Sequence, residues 1–138
     1  MSSLPTCPTR PRILCIDDDA AILAALTTRF KPYDVEVLTA CNGKHGIWLA
    51  VTEKPDVVVT DLRMPHGDGD YLVECLKMRP DTWDIPVIVL TGVNDRETRR
   101  WMLTLGVSAY LNKPLSFDAL VAAVRRQIEI KPQEAVAR

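Results

Sequence analysis

Several features that mark particular classes of protein are missing from this sequence. No apolar stretch approaches the roughly 20 residues that a membrane-spanning helix needs, so membrane insertion is not expected. The first twelve residues hold three prolines and no apolar segment, so they do not resemble a secretory signal. The formal net charge is −1, which argues against the concentrated basic face of a nucleic-acid binder. We therefore expect a cytoplasmic protein that binds neither membranes nor nucleic acid directly.

The cysteines also lack an informative pattern. Cys7, Cys15, Cys41 and Cys75 show neither CxxC nor cysteine–histidine spacing, so a zinc site is not expected. The chain is neither short nor dense in cysteine, which argues against a disulfide framework. Cys15 lies in the apolar run ILCI, where a free cysteine usually packs as a small hydrophobe. All four are predicted to be reduced thiols.

What is present is the composition of one ordinary globular domain. The chain has 138 residues, 47% of them hydrophobic and 25% charged. A chain of this length buries roughly two thirds of its unfolded surface in a single core. We expect a flexible segment at 1–10, a domain over 11–130 and a frayed tail at 131–138.

Short apolar runs alternate with segments of helical spacing along the whole domain. The runs predict strands at 12–16, 35–39, 56–60, 86–91 and 108–112. Three of these runs are continuously apolar, which is typical of strands covered on both faces. Five such βα units in succession predict a doubly wound parallel sheet with right-handed crossovers and helices on both sides.

The predicted helices have recognisable ends. Asp19 and Ser116 stand where the first and last helices need N-terminal caps, and Gly106 stands where the fourth needs a C-terminal stop. The helix at 43–52 is the weakest of the five, because its glycines lower helix propensity.

Three large aromatic side chains are interpreted as structural. Tyr71 is counted in the apolar stripe of the third helix with Leu72, and Trp101 is taken to close the stripe around Met102 in the fourth. For Trp101 the alternative is an exposed anchor for a partner protein. Trp83, in the loop PDTWDIP, is taken to hold that loop.

Reactive side chains follow four of the five predicted strands. They are Asp17, Asp18 and Asp19 after the first strand, Asp61 after the third, Thr91 and Gly92 at the end of the fourth, and Asn112, Lys113 and Pro114 after the fifth. Parallel sheets place ligand sites at the carboxyl ends of their strands. These side chains are therefore expected to converge on one rim.

The four motifs that carry these side chains resemble the signatures of response-regulator receiver domains of two-component signalling, of the chemotaxis-regulator type. They read ILCIDDD, VVVTDLRMPHGDG, VIVLTG and AYLNKP, and they occur in the family's order over about residues 11–130. The resemblance implies a flavodoxin-like three-layer α/β fold with a five-stranded parallel sheet in the order 2-1-3-4-5 and five helices. It also implies either a stand-alone regulator or part of a longer chain.

The resemblance implies a phosphorylation site with a metal ion. Asp61 would accept a phosphoryl group from a sensor histidine kinase or a histidine phosphotransfer protein. Mg²⁺ would be bound by Asp18, Asp61 and the backbone carbonyl of Arg63, with Asp17 acting mainly through water. The residues agree with this assignment, since clustered carboxylates repel one another without a cation and oxygen ligands suit Mg²⁺.

The remaining implied roles concern the phosphoryl group and the output. The Thr91 hydroxyl, the Gly92 N–H and the Lys113 ammonium would hold phosphoryl oxygens, and the Lys113–Pro114 peptide bond would be cis. Thr91 and Tyr110 would act as a switch that repacks the surface of helix 4, strand 5 and helix 5. That surface would control a downstream target protein or a fused output domain. Plain structural roles stay open for both residues, as a local hydrogen-bonding group and as ordinary strand packing.

Three other classes of protein share parts of this pattern. A receiver-like interaction module would keep the fold without phosphorylation, although the complete acid, hydroxyl and lysine set argues against it. A Mg²⁺-dependent phosphatase with an aspartate nucleophile usually has a second acid two residues later, where this chain has Arg63. A flavodoxin would need a phosphate loop after strand 1, where three aspartates stand. We expect no enzymatic activity beyond self-catalysed phosphorylation and dephosphorylation, and a mobile loop around His66 and Gly67.

Overall fold

The fold follows the predicted alternation of strands and helices. A computed structural model describes residues 10–63 and 69–133. Over these ranges the elements are β1 (Arg12–Ile16), α1 (Ala20–Phe30), β2 (Glu36–Ala40), α2 (Gly43–Glu53), β3 (Val57–Thr60), α3 (Gly69–Met78), β4 (Val87–Thr91), α4 (Arg96–Leu105), β5 (Ala109–Asn112) and α5 (Phe117–Gln127). The predicted strands differ from these by at most one residue at either end.

The five strands form one parallel sheet in the order β2-β1-β3-β4-β5, as predicted. β1, β3 and β4 are buried along nearly their whole length, which explains why their sequences are continuously apolar. Side chains from α1 and α5 cover one face of the sheet, and those from α2, α3 and α4 cover the other. The architecture is the expected three-layer α/β fold.

The helix ends carry the predicted caps. The Asp19 carboxylate accepts a hydrogen bond from the Ala21 N–H at 2.9 Å, and the Ser116 hydroxyl accepts one from the Ala119 N–H at 3.2 Å. Gly106 ends α4 with a φ of 101°, a conformation that favours glycine because it lacks a Cβ.

Tyr71 and Trp101 are not in the core, contrary to prediction. Their exposed fractions are 63% and 47%. The buried side of α4 is formed by Met102, and an adjacent residue points about 100° away around a helix. On α3, Leu72 lies on the buried side of the helix, whereas Tyr71 lies on the exposed side. Helical spacing alone therefore assigned both aromatics to the wrong face.

The loop between α3 and β4 is held by Thr82, not by Trp83 as predicted. Thr82 is fully buried, and its hydroxyl donates a hydrogen bond to the Leu76 carbonyl at 2.7 Å. The Trp83 side chain is 60% exposed. A buried hydroxyl that satisfies the carbonyl near a helix end stabilises the loop without an aromatic anchor.

Residues on either side of the predicted domain, 11–130, contact the turn after α1. The Asp34 N–H donates to the Lys131 carbonyl at 2.8 Å, and the Gln133 N–H donates to the Pro32 carbonyl at 2.6 Å. At the other end, the Arg10 guanidinium pairs with the Asp34 carboxylate at 3.2 Å. Residues 131–133 are therefore tied to the turn after α1. Residues 1–9 and 134–138 lie outside the described ranges.

The predictions about cysteines and membrane-spanning helices can be compared with the described residues. Cys15, Cys41 and Cys75 are free thiols, and burial raises the pKa of Cys15 to about 12; Cys7 lies outside the described residues. Every helix in 10–63 and 69–133 falls short of the length and apolar character that a bilayer span requires.

Close packing of α2 against β1 explains why a glycine is present at position 46, although glycine lowers helix propensity. A Cβ atom at this position would lie 2.5 Å from Cδ1 and 3.1 Å from Cγ1 of Ile16. Both residues are buried, and Ile16 is in the close-packed core between β1 and α2. The missing side chain therefore allows the helix to approach the strand that carries Asp17.

Replacing Gly46 with alanine is expected to destabilise the protein. Helix propensity favours alanine by about 1 kcal/mol, but the contact with Ile16 overpacks the core, at a cost of about 1–3 kcal/mol. Urea denaturation of Gly46→Ala measures the net change in the free energy of unfolding. Ile16→Val, which removes Cδ1, should recover part of the loss in the Gly46→Ala background. A gain in stability from Gly46→Ala alone would show that α2 can move away from β1 at little cost.

Candidate functional site

The predicted site residues meet at the carboxyl edge of the sheet. Asp17 and Asp61 directly follow β1 and β3, Thr91 ends β4, and Lys113 follows β5. The strand hydrogen bonding continues one residue past β3, since the Asp61 N–H donates to the Ile16 carbonyl at 3.0 Å. The backbone that carries these side chains is therefore part of the rigid sheet.

Three carboxylates form one cluster at this edge. Asp17, Asp18 and Asp61 each contribute a carboxylate oxygen, and these oxygens lie within 4.8 Å of one another. Asp17 and Asp61 are 3% and 6% exposed, whereas Asp18 is exposed to solvent. Anionic oxygen ligands with one side open to water match the preference of Mg²⁺, which retains several waters. Asp19 caps α1 and is not a member of the cluster, as predicted.

Lys113 supplies the positive charge that these acids need. Its ammonium nitrogen lies 3.0 Å from Oδ2 of Asp17 and 3.1 Å from Oδ2 of Asp61. Burial disfavours the charged ammonium, but the hydrogen bonds to the two carboxylates outweigh it and the pKa of Lys113 is raised. The lysine is therefore firmly protonated at neutral pH.

Asp17 is held in an environment that disfavours its charge. Burial raises the pKa of Asp17, and the nearby Asp61 charge adds to this increase. Hydrogen bonds from the Asp19 N–H at 2.9 Å and from Lys113 offset it only in part. An added cation would relieve this cost, which fits a carboxylate that serves a metal site.

The Asp61 carboxylate is held in one orientation by its hydrogen bonds. Oδ1 accepts the N–H groups of Leu62 at 2.6 Å and of Arg63 at 3.3 Å. Oδ2 accepts the ammonium of Lys113. The carbonyl of Arg63 stays a predicted metal ligand, since its role depends on an ion. Residues 64–68, which include His66 and Gly67, lie outside the described residues.

An open cleft of about 610 Å³ adjoins Asp61. Its lining residues are Asp61, Arg63, Gly92, Val93, Asn94, Asp95 and Lys113. A Cβ at Gly92 would meet no described atom within 4 Å. Glycine at this position is therefore not required by the protein's own packing. Its predicted advantage depends on a group bound in the cleft.

Thr91 has the local role that was left open as an alternative. The residue is fully buried, and its hydroxyl oxygen accepts the Val93 N–H at 3.2 Å. A hydroxyl group can accept one hydrogen bond and still donate another. The contact to Val93 therefore leaves the hydroxyl hydrogen of Thr91 able to donate a further hydrogen bond.

Tyr110 lies inside the protein on β5, where it pairs with Val89 of β4. Its ring is buried and its hydroxyl donates a hydrogen bond to the Val93 carbonyl at 2.8 Å. Burial raises the pKa of Tyr110, and the Asp95 charge raises it further, so the phenol keeps its proton at neutral pH. The Arg99 guanidinium lies 5.7 Å from the ring centroid. The position agrees with the proposed switch residue, while movement of the ring stays a prediction.

Asn112 was expected at this edge of the sheet, but the sequence predicted no role for it. Its side-chain amide donates to the same Val93 carbonyl at 2.8 Å. The motif NKP drew attention to Lys113 and Pro114, whose peptide bond is cis as predicted. The available signal was the position of Asn112 at the end of β5, directly opposite Thr91 in the parallel register.

Comparisons with known proteins agree on one family. Residues 13–125 match the family model described as the response regulator receiver domain. The probable transcriptional regulator ycf27 of Guillardia theta is 39% identical over 117 residues, which are 85% of this chain and 45% of that protein. The DNA-binding dual master transcriptional regulator RpaA of Synechocystis is 36% identical over 130 residues, covering 91% of this chain and 53% of that protein. The chain spans about half the length of these curated relatives.

The solved structures give the same result. The receiver domain of the Francisella response regulator 1452 has a TM-score of 0.79 at 32% sequence identity, covering 86% of this chain and 96% of that one. The expectation that this chain does not itself bind nucleic acid receives no support from the comparisons, because a relative is named as DNA-binding.

Replacing Asp17 with asparagine is expected to stabilise the protein when divalent cations are absent. The free energy of unfolding should rise at pH 7, because a buried charge is removed while Lys113 keeps Asp61 as a partner. The pKa of Asp17 is higher in the folded than in the unfolded chain, so the folded state takes up a proton first as the pH falls. The gain should therefore shrink through the acidic range.

Urea denaturation across a pH series measures this effect. Asp19→Asn is the matched control, since asparagine still caps α1 and the carboxylate removed is exposed. A loss of stability in Asp17→Asn at pH 7 would contradict the prediction and show that the pair with Lys113 outweighs the cost of burial.

Proposed function

The chain belongs to the response regulator receiver domain family, and on that premise we propose that it is a phosphoacceptor signalling domain. Asp61 accepts a phosphoryl group from a sensor histidine kinase or a histidine phosphotransfer protein. The observation that carries this proposal is the contact of the Lys113 ammonium with both Asp17 and Asp61, at the edge of an open cleft. We also propose that the protein acts in the cytoplasm, as expected from the sequence.

The chemistry asks for positioning and charge neutralisation more than for covalent work by the protein. An oxygen of the Asp61 carboxylate attacks phosphorus while the bond from phosphorus to the donor nitrogen breaks, so that an acyl phosphate forms. Lys113 stabilises charge on one phosphoryl oxygen, since it lies 3.1 Å from the attacking carboxylate. The Thr91 hydroxyl and the Gly92 N–H donate hydrogen bonds to another phosphoryl oxygen.

A divalent cation completes the proposed site. Asp17, Asp18 and Asp61 provide the carboxylate oxygens that would hold Mg²⁺, with the Arg63 carbonyl as a further ligand. When bound, the ion would neutralise negative charge on the phosphoryl group. The raised pKa of Asp17 supports this assignment. Burial disfavours the charged form of this carboxylate, and a bound cation would offset that penalty.

The output of phosphorylation is proposed to pass through Thr91 and Tyr110. Both residues bond to Val93, one at its N–H and the other at its carbonyl. A change in the Thr91 hydroxyl therefore has a direct route of two hydrogen bonds to Tyr110 on β5. The surface of α4, β5 and α5 would then bind a downstream target protein or a fused output domain. Relatives named as transcriptional regulators support a regulatory output.

We propose that the chain does not act on a separate substrate. The position two residues after Asp61 is occupied by Arg63, where an aspartate-nucleophile phosphatase usually has an acid. Its activity would be limited to its own phosphorylation and dephosphorylation. A receiver-like interaction module that is never phosphorylated is the competing possibility, and the following experiment separates the two.

Incubation with acetyl phosphate and Mg²⁺ should add one phosphoryl group to the protein. Intact-mass measurement is expected to detect the adduct on the wild type and not on Asp61→Asn, because the amide lacks the nucleophilic carboxylate. Lys113→Met should lower the rate at least about tenfold, since the charge beside the acceptor is lost. No adduct on the wild type, or an equal adduct on Asp61→Asn, would refute Asp61 as the acceptor.

Asp18→Ala is expected to weaken Mg²⁺ binding by at least about tenfold, because one of the three carboxylates is removed. Isothermal titration calorimetry of the purified chain measures the affinity. The matched control is Asp19→Asn, which removes the neighbouring carboxylate and keeps the helix cap. Full affinity in Asp18→Ala, or an equal loss in both variants, would contradict the proposed coordination.

A further inference from the structure

The carbonyl of Val93 accepts hydrogen bonds from two side chains of β5. The Tyr110 hydroxyl and the Asn112 side-chain amide both lie 2.8 Å from it. A carbonyl oxygen has two lone pairs, so both donors can be satisfied at once. The N–H of the same residue donates to the Thr91 hydroxyl at 3.2 Å. Val93 therefore joins the end of β4 to two positions on β5.

Val93 lies next to the residues of the proposed phosphorylation site. It follows Thr91 and Gly92 directly, and it lines the cleft that contains Asp61. The residue is 9% exposed, so its carbonyl is largely shielded from water that would replace a lost donor. A fixed Val93 restricts the Thr91 hydroxyl through its hydrogen bond. It also restricts the Gly92 N–H, because Gly92 lies between these two residues in the chain.

The two donors differ in how they are anchored. Tyr110 reaches Val93 with a buried ring, and in the proposed function this ring moves. Asn112 reaches it from the exposed rim, where the backbone is fixed because the Lys113 N–H donates to the Thr91 carbonyl at 2.8 Å. The Asn112 amide also lies 3.5 Å from that Thr91 carbonyl. The backbone that carries Asn112 is therefore joined to β4 by a hydrogen bond that does not involve Tyr110.

We propose that Asn112 is a positioning residue that keeps Val93 in place when the Tyr110 hydroxyl releases it. The inference rests on the proposed phosphorylation of Asp61 and extends it. One donor is enough to satisfy the Val93 carbonyl, so the phosphorylation site stays assembled while the output side of the protein changes. Asn112 thus keeps the Val93 carbonyl satisfied when the hydrogen bond from the Tyr110 hydroxyl is broken.

This role predicts redundancy between the two donors. Loss of either one leaves the Val93 carbonyl with a partner, whereas loss of both leaves a buried acceptor without one, which is strongly unfavourable. If Asn112 were only a polar residue of the rim, its removal would have the same effect with or without the Tyr110 hydroxyl. Redundant donors therefore predict that the double variant loses more than the two single variants together, whereas a merely polar rim residue predicts additive effects.

The test is a double-mutant cycle of Tyr110→Phe and Asn112→Ala. The rate of phosphorylation by acetyl phosphate with Mg²⁺ is measured by intact mass. Each single variant should lower the rate by less than about threefold, and the double variant by more than about tenfold beyond the product of the two single effects. Additive effects would overturn the proposal.

Amide hydrogen exchange of Val93 gives a second measurement that needs no phosphoryl donor. Exchange should be nearly unchanged in each single variant and at least about tenfold faster in the double variant, because the loop then opens locally. The amide of Val58 in β3 reports global unfolding, so a faster exchange of Val93 than of Val58 in the double variant identifies local opening of the loop. The matched control is Tyr110→Phe with Asn94→Ala, since Asn94 lines the same cleft and donates no described hydrogen bond to Val93; it should behave like Tyr110→Phe alone.

These measurements separate the two proposals. If the wild type gains no phosphoryl group, the function proposed for Asp61 fails, and Val93 exchange still decides the role of Asn112. If the wild type is phosphorylated but exchange in the double variant equals that of the control pair, the role of Asn112 fails while the function of Asp61 stands.

Discussion

The balance of charge among Asp17, Asp61 and Lys113 is the constraint on which the functional site depends. Two carboxylates shielded from water repel each other strongly, and the ammonium between them makes the arrangement tolerable. The three side chains come from the ends of three different strands, so the contact forms only when the sheet is complete. The same geometry puts a cation next to a carboxylate at the edge of an open cleft, which is what transfer of a phosphoryl group requires.

The rest of the fold serves to hold these strand ends in register. β1, β3 and β4 are covered on both faces, and their parallel pairing leaves little freedom at the carboxyl edge. Gly46 lets α2 pack closely on β1, while Thr82 secures the chain before β4. A rigid sheet that fixes side chains at one edge is suited to chemistry that depends on position. The β4–α4 loop, tied through Val93, is where the site meets the part of the protein expected to change.

Predictions from sequence succeeded where local physical rules apply. Alternating element types determine a parallel sheet, and Asp19 and Ser116 cap helices because their side chains bond to the nearby backbone. Predictions failed where the direction of a side chain decides the outcome. Tyr71 and Trp101 have apolar character and plausible spacing, but the buried arc of a helix depends on what packs against it. Local patterns also do not predict the hydrogen bonds of residues 131–133 to Pro32 and Asp34, because these partners are about a hundred residues away in the chain.

By itself, the amino-acid sequence determined the order of elements, the ends of the strands and the residues that stand there, because apolar periodicity and capping are local properties. Only the tertiary structure decided which oxygen meets which donor. Lys113 contacts two acids at once, Asp17 bears an unfavourable charge, and Val93 receives hydrogen bonds from both Tyr110 and Asn112. These contacts join residues 17 to 96 positions apart, and nothing in the local pattern of the chain encodes distances of about 3 Å between them.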